Sequence, residues 1–265
     1  MATFIKRMRP LLGTFVEIQI PVEMDSDSIF AASFNKIDQV EKLCNFHSPT
    51  SELSKLNGQS NKWITLSEIT LDILSKSIEL MDKSHHLFNI TIGRELQNKK
   101  ILPLHPGQEK NNLKGMSDDI QIKENSCKLR RPLSLTLDGI AKGYAVDLAI
   151  EELKKNQVPF GLVNAGGDLR VFGNHDFPLY RRDYCNNVKL IGTYKDMAMA
   201  TSNALNTYSS SHRGYIFNNK FSKKKKIWTV ISKETWRADA LTKVATLVND
   251  SERLDLIKKL GGTLV

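Results

Sequence analysis

Two short stretches hold the residues best suited to chemistry. Leu137–Asp147 reads LDGIAKGYAVD and Leu162–Gly173 reads LVNAGGDLRVFG, each with glycines where helix or strand would otherwise continue. A glycine turn that opens a helix presents free backbone N–H groups at the positive helix end, a ready site for an anion and above all a phosphate. In Asp138–Gly143 the glycines permit close backbone approach and Lys142 adds a point charge. The same residues also serve as plain turn chemistry, and Asn164–Asp168 (NAGGD) reads equally as a tight hairpin. Neither stretch fits GxGxxG or GxxxxGK[ST], which excludes the dinucleotide-fold fingerprint and the P-loop.

These turns need elements to hold them. Phe15–Val22 reads as a strand, and Asp27–Cys44 as a helix with Phe30, Phe34, Ile37, Val40 and Cys44 at three-to-four spacing. Phe46–Gly58 is polar and turn-rich. Thr65-x-x-Glu68 resembles a capping box for a helix with Leu71, Leu74, Ile78 and Met81 on one stripe, which FNITIG (Phe88–Gly93) breaks. Leu133–Leu137 predicts a short strand leading into a helix over Ala141–Lys155, with Ala145, Leu148, Ala149 and Leu153 inward. Val158–Val163, Leu169–Phe172, Val188–Tyr194 and Ile227–Ser232 predict strands, and Ala238–Val248 a helix. Ser251 is placed to cap a last helix that Gly261 and Gly262 end. There is no repeat and no long linker, so the expectation is a single α+β domain over 1–265, with the polar stretch 94–132 an insertion or lid.

Bulk properties narrow the function classes. The 265 residues, 40% hydrophobic and 25% charged, suit a globular protein with a sizeable core. No run of eighteen apolar residues marks a transmembrane helix, and the N-terminus shows neither a signal-peptide pattern nor a lipid-bearing Cys, which predicts a cytoplasmic protein. Cys44, Cys127 and Cys185 are odd in number, far apart and without CxxC, against a disulfide framework and a zinc site alike. The formal charge of +9 is densest at Lys223–Lys226, without aromatic interleaving, so nucleic acid is not the expected partner. An acidic ligand or acidic protein partner suits the charge equally well.

The two glycine turns, in this order, resemble the signature of the ApbE family, the FAD:protein FMN transferases. Other blocks align in order across nearly the whole chain. LGTFVEI (Leu12–Ile18), SPTSELSKLN (Ser48–Asn57), FNITIG, ATSNA (Ala200–Ala204) and ADALTK (Ala238–Lys243) are similar to family segments. The resemblance implies the family's α+β fold, and FAD bound with Mg²⁺ on its pyrophosphate. It also implies FMN transfer to a Ser or Thr hydroxyl of an acceptor protein, with release of AMP. Carried over, Asp239 matches the metal-binding Asp, and the carbonyl around Gly139 a backbone metal ligand. Lys142 and Asp147 match the first turn, while Asn164, Gly166, Gly167 and Asp168 match the second. Thr201 and Ser202 close the flavin site, and Ser51, Asn57 and Thr91 match polar positions of the other blocks.

The chain departs from the family pattern in places that bear on chemistry. Lys243 stands where the family has a metal-binding Thr, and Tyr215 where it has a His that is a candidate base. Asn218 and Asn219 replace that segment's Asp and Pro, and His212 substitutes for the His only if the loop is rearranged. Thr136 aligns with a family Asp, and Leu12 with a Met. Lys243 reads either as a helix-surface partner of Asp239 at i, i+4, worth ~0.3 kcal/mol, or as an ammonium where the metal would sit. A charged Lys has no lone pair and cannot ligate Mg²⁺. Two functions stay open: an active flavin transferase, or a relative that binds FAD or another nucleotide without transferring it.

Overall fold

Along Thr14–Pro21 (β2), Val16, Ile18 and Ile20 are fully buried while Phe15 is exposed, the period of two expected of a strand with one face on a core. Phe4–Leu11 (β1) pairs with it antiparallel, Leu11 opposite Thr14, which leaves Leu12 and Gly13 as a two-residue turn. Both have positive φ, 56° and 69°, the twist-compatible geometry of tight hairpins. The computed structural model describes residues 2–105, 108, 114–183, 185, 187–204 and 226–265.

After β2 come α1 (Asp27–Cys44), α2 (Glu52–Asn57), β3 (Ile64–Thr65), α3 (Glu68–Lys83), α4 (Gly93–Asn98), β4 (Ile120–Lys123) and β5 (Ser126–Leu129). The second half runs α5 (Ala141–Lys155), β6 (Phe160–Ala165), β7 (Asp168–Gly173), β8 (Phe177–Arg182), β9 (Val188–Tyr194) and β10 (Met197–Ala204). It closes with β11 (Lys226–Ser232), α6 (Thr235–Leu247), α7 (Arg253–Lys259) and β12 (Gly262–Leu264). Seven strands form one antiparallel sheet in the order β1-β2-β6-β7-β10-β11-β12, beside a small β3-β5-β4 sheet and a β8-β9 ribbon.

Helices α5 and α6 pack on β6, β7, β10 and β11, and α1 packs on α5. The main core lies on that side, with Phe30, Phe34 and Ile37 of α1, Ile150 and Leu153 of α5, and Leu241 and Val244 of α6. A second cluster joins Leu169, Val171, Met199 and Ile231 of the main sheet to Phe177 and Leu179 of the ribbon. Strand β7 is therefore buried on both faces. Its turn toward β6 is held rigidly, because the strands that carry it cannot shift without opening the core.

The expected α+β class is what the molecule has, and the helices over 27–44 and 141–155 and the strand over 188–194 form with the expected bounds. Elsewhere tertiary contacts win. Leu133–Leu137 is extended but joins no ladder beyond a bridge of Ser134 to Ile92, because the Asn57 side chain takes both the N–H and the C=O of Leu135 at 2.8 Å. The cap of α3 is Ser67 rather than Thr65, and the reciprocal carboxylate is Glu52 of α2, which accepts from Ser67 N–H, Ser67 Oγ and Thr70 Oγ1. The buried face of α3 is accordingly Ile73, Leu74, Leu80 and Met81, with Leu71 and Ile78 only partly covered. Ser251 does not cap α7, whose flanking residue is Glu252. Helix α6 starts at Thr235, earlier than its apolar pattern suggests. The stretch 94–132 holds most of α4 and all of β4 and β5. No described helix is long and apolar enough to cross a membrane.

Candidate active site

Strands β2 and β6 are neighbours, Val16 opposite Ala165, so the β1–β2 and β6–β7 turns emerge side by side. Gly166 and Gly167 have φ of +66° and +105°, and a Cβ on Gly166 would fall 2.6 Å from Thr14 Oγ1. Glycine is thus required there twice over, for the left-handed backbone and for the contact between turns. Asn164 Oδ1 accepts from Gly167 N–H at 2.8 Å and pins the turn. On the other side of β7, β10 runs beyond its pairing of Met199 with Leu169 and carries Thr201 and Ser202 to the same end. The Asp138–Ile140 turn delivers the start of α5, with Gly139 and Lys142, and α6 brings Asp239 and Lys243.

These parts line one cleft of about 680 Å³. Its lining includes Gly139, Lys142, Gly166, Ser202 and Lys243, the acidic Glu41, Glu95 and Asp138, and apolar Val40, Leu87, Phe88, Ile90 and Leu96. Gly139 packs beside both Phe88 and Lys243: a Cβ there would be tight against the Phe88 ring at 3.3 Å and in ordinary contact with Lys243 Cε at 3.6 Å.

The electrostatics around the two lysines follow one plan twice. Lys142 Nζ donates to Asp168 Oδ2 at 2.6 Å, and Lys243 Nζ donates to Asp239 Oδ1. In each pair the carboxylate is buried, at 5% and 0% side-chain exposure, while the lysine, at 36% and 21%, faces the cleft. Burial works to lower the Lys142 pKa, but the charges of Asp168, Asp239 and Asp138 outweigh it and hold the ammonium above its ordinary value. Burial, then the nearby Asp239 charge, push the Asp168 carboxyl up against the pull of Lys142. Asp138 opens into the cleft yet is ringed by protein, which raises its carboxyl despite a hydrogen bond with Thr136. The arrangement offers cations to a ligand while their counter-charges stay behind the wall, which suits a phosphorylated anion.

Of the residues singled out in the sequence, Gly139, Lys142, Gly166, Thr201, Ser202 and Lys243 line the cleft. Asp168 and Asp239 stand one layer behind, and Asn164 and Gly167 build the turn. Four lie apart from the lining. Asp147 accepts from Arg170 Nη1 at 2.8 Å, from Thr235 N–H and Oγ1 at 3.0 and 2.9 Å, and from Trp236 N–H at 2.9 Å, so it caps α6 from α5. Ser51 caps α2, Asn57 clamps Leu135, and Thr91 donates to Asn89 and Gly115 and accepts from Gly115 N–H. His212, Tyr215, Asn218, Asn219 and Lys223–Lys225 lie outside the described residues.

Sequence reasoning quoted Leu12–Thr14 and Asp138 only as parts of their motifs and missed His47 altogether, and all of them line the cleft. The Leu-Gly pair is a turn signal only once β1 is recognised, and its Lys6, Arg7, Arg9 and Pro10 hide that edge strand.

Mg²⁺, implied by the resemblance, does not fit the residues present. Asp239 has no exposed surface, its Oδ1 is taken by Lys243, and its Oδ2 faces Gly143 N–H at 3.4 Å. The Ser202 and Thr242 hydroxyls bond each other at 2.6 Å. Among the described residues no three His, Cys, Asp or Glu side chains converge as metal ligands.

Fold and cleft together describe an α+β protein whose glycine turns and paired lysines converge, among the described residues, on one cleft with the chemistry to suit an anion. The ApbE family model matches residues 12–264, and the chain belongs to the ApbE family. Solved structures share the fold at low identity. The flavin transferase ApbE from Vibrio cholerae superposes with a TM-score of 0.80 at 18% identity, covering 100% of this chain and 97% of that one. The apo flavinyl transferase ApbE from Pseudomonas stutzeri gives 0.81 at 17%, covering 100% and 94%. The ApbE protein from Thermotoga maritima gives 0.82 at 18%, covering 99% and 93%. No curated protein matches the chain.

Proposed function

We propose that this chain is a flavin transferase that takes FAD as substrate, moves FMN to a Ser or Thr hydroxyl of an acceptor protein, and releases AMP. The observation that carries the reading is the pair of lysines, 142 and 243, in one cleft with apolar residues, in a family member that shares its fold with solved flavin transferases. Lys142 and Lys243 bind and orient the pyrophosphate, and the apolar Leu87, Phe88 and Ile90 shelter the flat ring from water. The acceptor oxygen forms a bond to the FMN phosphorus as the bridging P–O bond to AMP breaks. The hydroxyl proton leaves to solvent or to the departing phosphate. Charge builds on the AMP phosphate in that step, and fixed ammonium groups in a walled cleft stabilise it without reorganising.

The test is AMP release from FAD together with covalent flavin fluorescence on an acceptor protein bearing a flavin-accepting Ser or Thr. Both signals appearing together support transfer. FAD binding with neither signal, acceptor present, replaces this reading with that of a binding relative. The commitment of Asp239 to Lys243 is the observation that keeps this second reading in view.

A further inference from the structure

We propose that Lys243 does the work of a divalent cation in this chain, so that FAD binds with no metal; the inference rests on the flavin reading above. The ammonium is fixed from three sides. Asp239 precedes it by one helical turn and accepts one N–H, Ser202 Oγ lies 3.3 Å away, and the stem passes against Gly139. A lysine has three N–H donors, so these two bonds leave the third for a phosphate oxygen.

A metal would have to displace this ammonium to reach Asp239, which has no exposed surface of its own. It would also bring two positive charges beside Lys142, whose ammonium already leans on Asp168 and the charges of Asp239 and Asp138. Like charges confined to one cleft repel strongly where solvent screens poorly. With Lys243 in place the cleft already holds its cations next to their carboxylates, and a pyrophosphate meets them without recruiting an ion.

The test is FAD titration by flavin fluorescence, with the full-length protein in excess Mg²⁺ and in EDTA. The wild type should give the same Kd in both, within about twofold. Lys243→Met should weaken binding about tenfold, as expected for loss of a charge-assisted contact. The double variant Asp239→Asn/Lys243→Met should bind as weakly, which separates the missing cation from a stranded buried carboxylate. Lys243→Thr should bind weakly in EDTA and tighten on addition of Mg²⁺. A wild-type Kd that tightens about tenfold or more with Mg²⁺, or a Lys243→Met variant that binds like wild type, would overturn the proposal. If the single variants fail to fold, the wild-type comparison alone decides. Wild type that binds no FAD in either buffer removes the flavin reading itself, an outcome distinct from metal-dependent binding.

Discussion

Replacing Lys142 with Met leaves Asp168 buried and without its ammonium partner. Burial already biases that carboxyl toward its neutral form, which limits the penalty, so the expected loss is about 2 kcal/mol in urea unfolding. Asp168→Asn on the same background should restore most of the stability while FAD affinity stays low. Recovery of both would make Lys142 a structural residue only. Asp147 calls for the opposite pattern. Asn in its place turns an amide N–H₂ toward donors from Thr235, Trp236 and Arg170, at a cost of about 2 kcal/mol. The protein that remains folded should bind FAD with unchanged Kd, and a large rise in Kd without loss of stability would place Asp147 at the ligand after all.

At the scale of elements, the approach of α5 to α6 depends on Gly143. A Cβ there would meet Thr235 O at 2.4 Å and Trp236 Cα at 2.7 Å, and both are backbone atoms. Gly143→Ala must therefore push the helices apart, with a loss of about 2 kcal/mol or more in chemical denaturation. A stability within ~0.5 kcal/mol of wild type would contradict that packing. The end of β5 is held differently. Asp119 accepts from Met116 N–H at 2.8 Å and from Arg131 Nη2 at 2.5 Å. Burial would raise its pKa, but these donors outweigh it and hold the carboxyl below the ordinary range. A lowered folded pKa means the stabilisation is present above the unfolded value near ~3.9 and is lost as pH falls through the folded one. Asp119→Asn should accordingly flatten the acid limb of the stability profile below about pH 4, measured by denaturant midpoints. An unchanged limb would show that the clasp does not act on folding.

Over the whole molecule, the +9 charge raises the question of nucleic acid. Lys142 and Lys243 lie in a cleft with Asp168 and Asp239 behind them, whereas the exposed basic residues among the described ones are spread over several elements. Retention on duplex DNA should be purely electrostatic and vanish by about 200 mM salt, while FAD affinity changes far less. DNA binding that outlasts that salt would point to a second ligand class. Two apolar clusters lie on opposite faces of the sheet. Strand β7 is clamped between them, and the Gly166–Gly167 turn rides on its end.

Helix α1, helix α5 and the strand over 188–194 were legible because their signals are local, apolar spacing and glycine punctuation, and so were the glycine turns. The ordered family blocks likewise pointed to Gly139, Lys142, Gly166, Ser202 and Lys243, all of which meet in one cleft. Edge strand β1, the cap supplied to α3 by Glu52 and the clamp of Asn57 on Leu135 were not legible. Each depends on residues distant in sequence, and hydrogen bonds of that kind leave no periodic trace. The same holds for the layering of charge. The family resemblance picked out Asp168, Asp239, Lys142 and Lys243, but only the packing of β7, β10, α5 and α6 decided that these two carboxylates are buried and the ammonium groups face the cleft. Burial is a property of neighbours in space, and it set which member of each pair a substrate can touch.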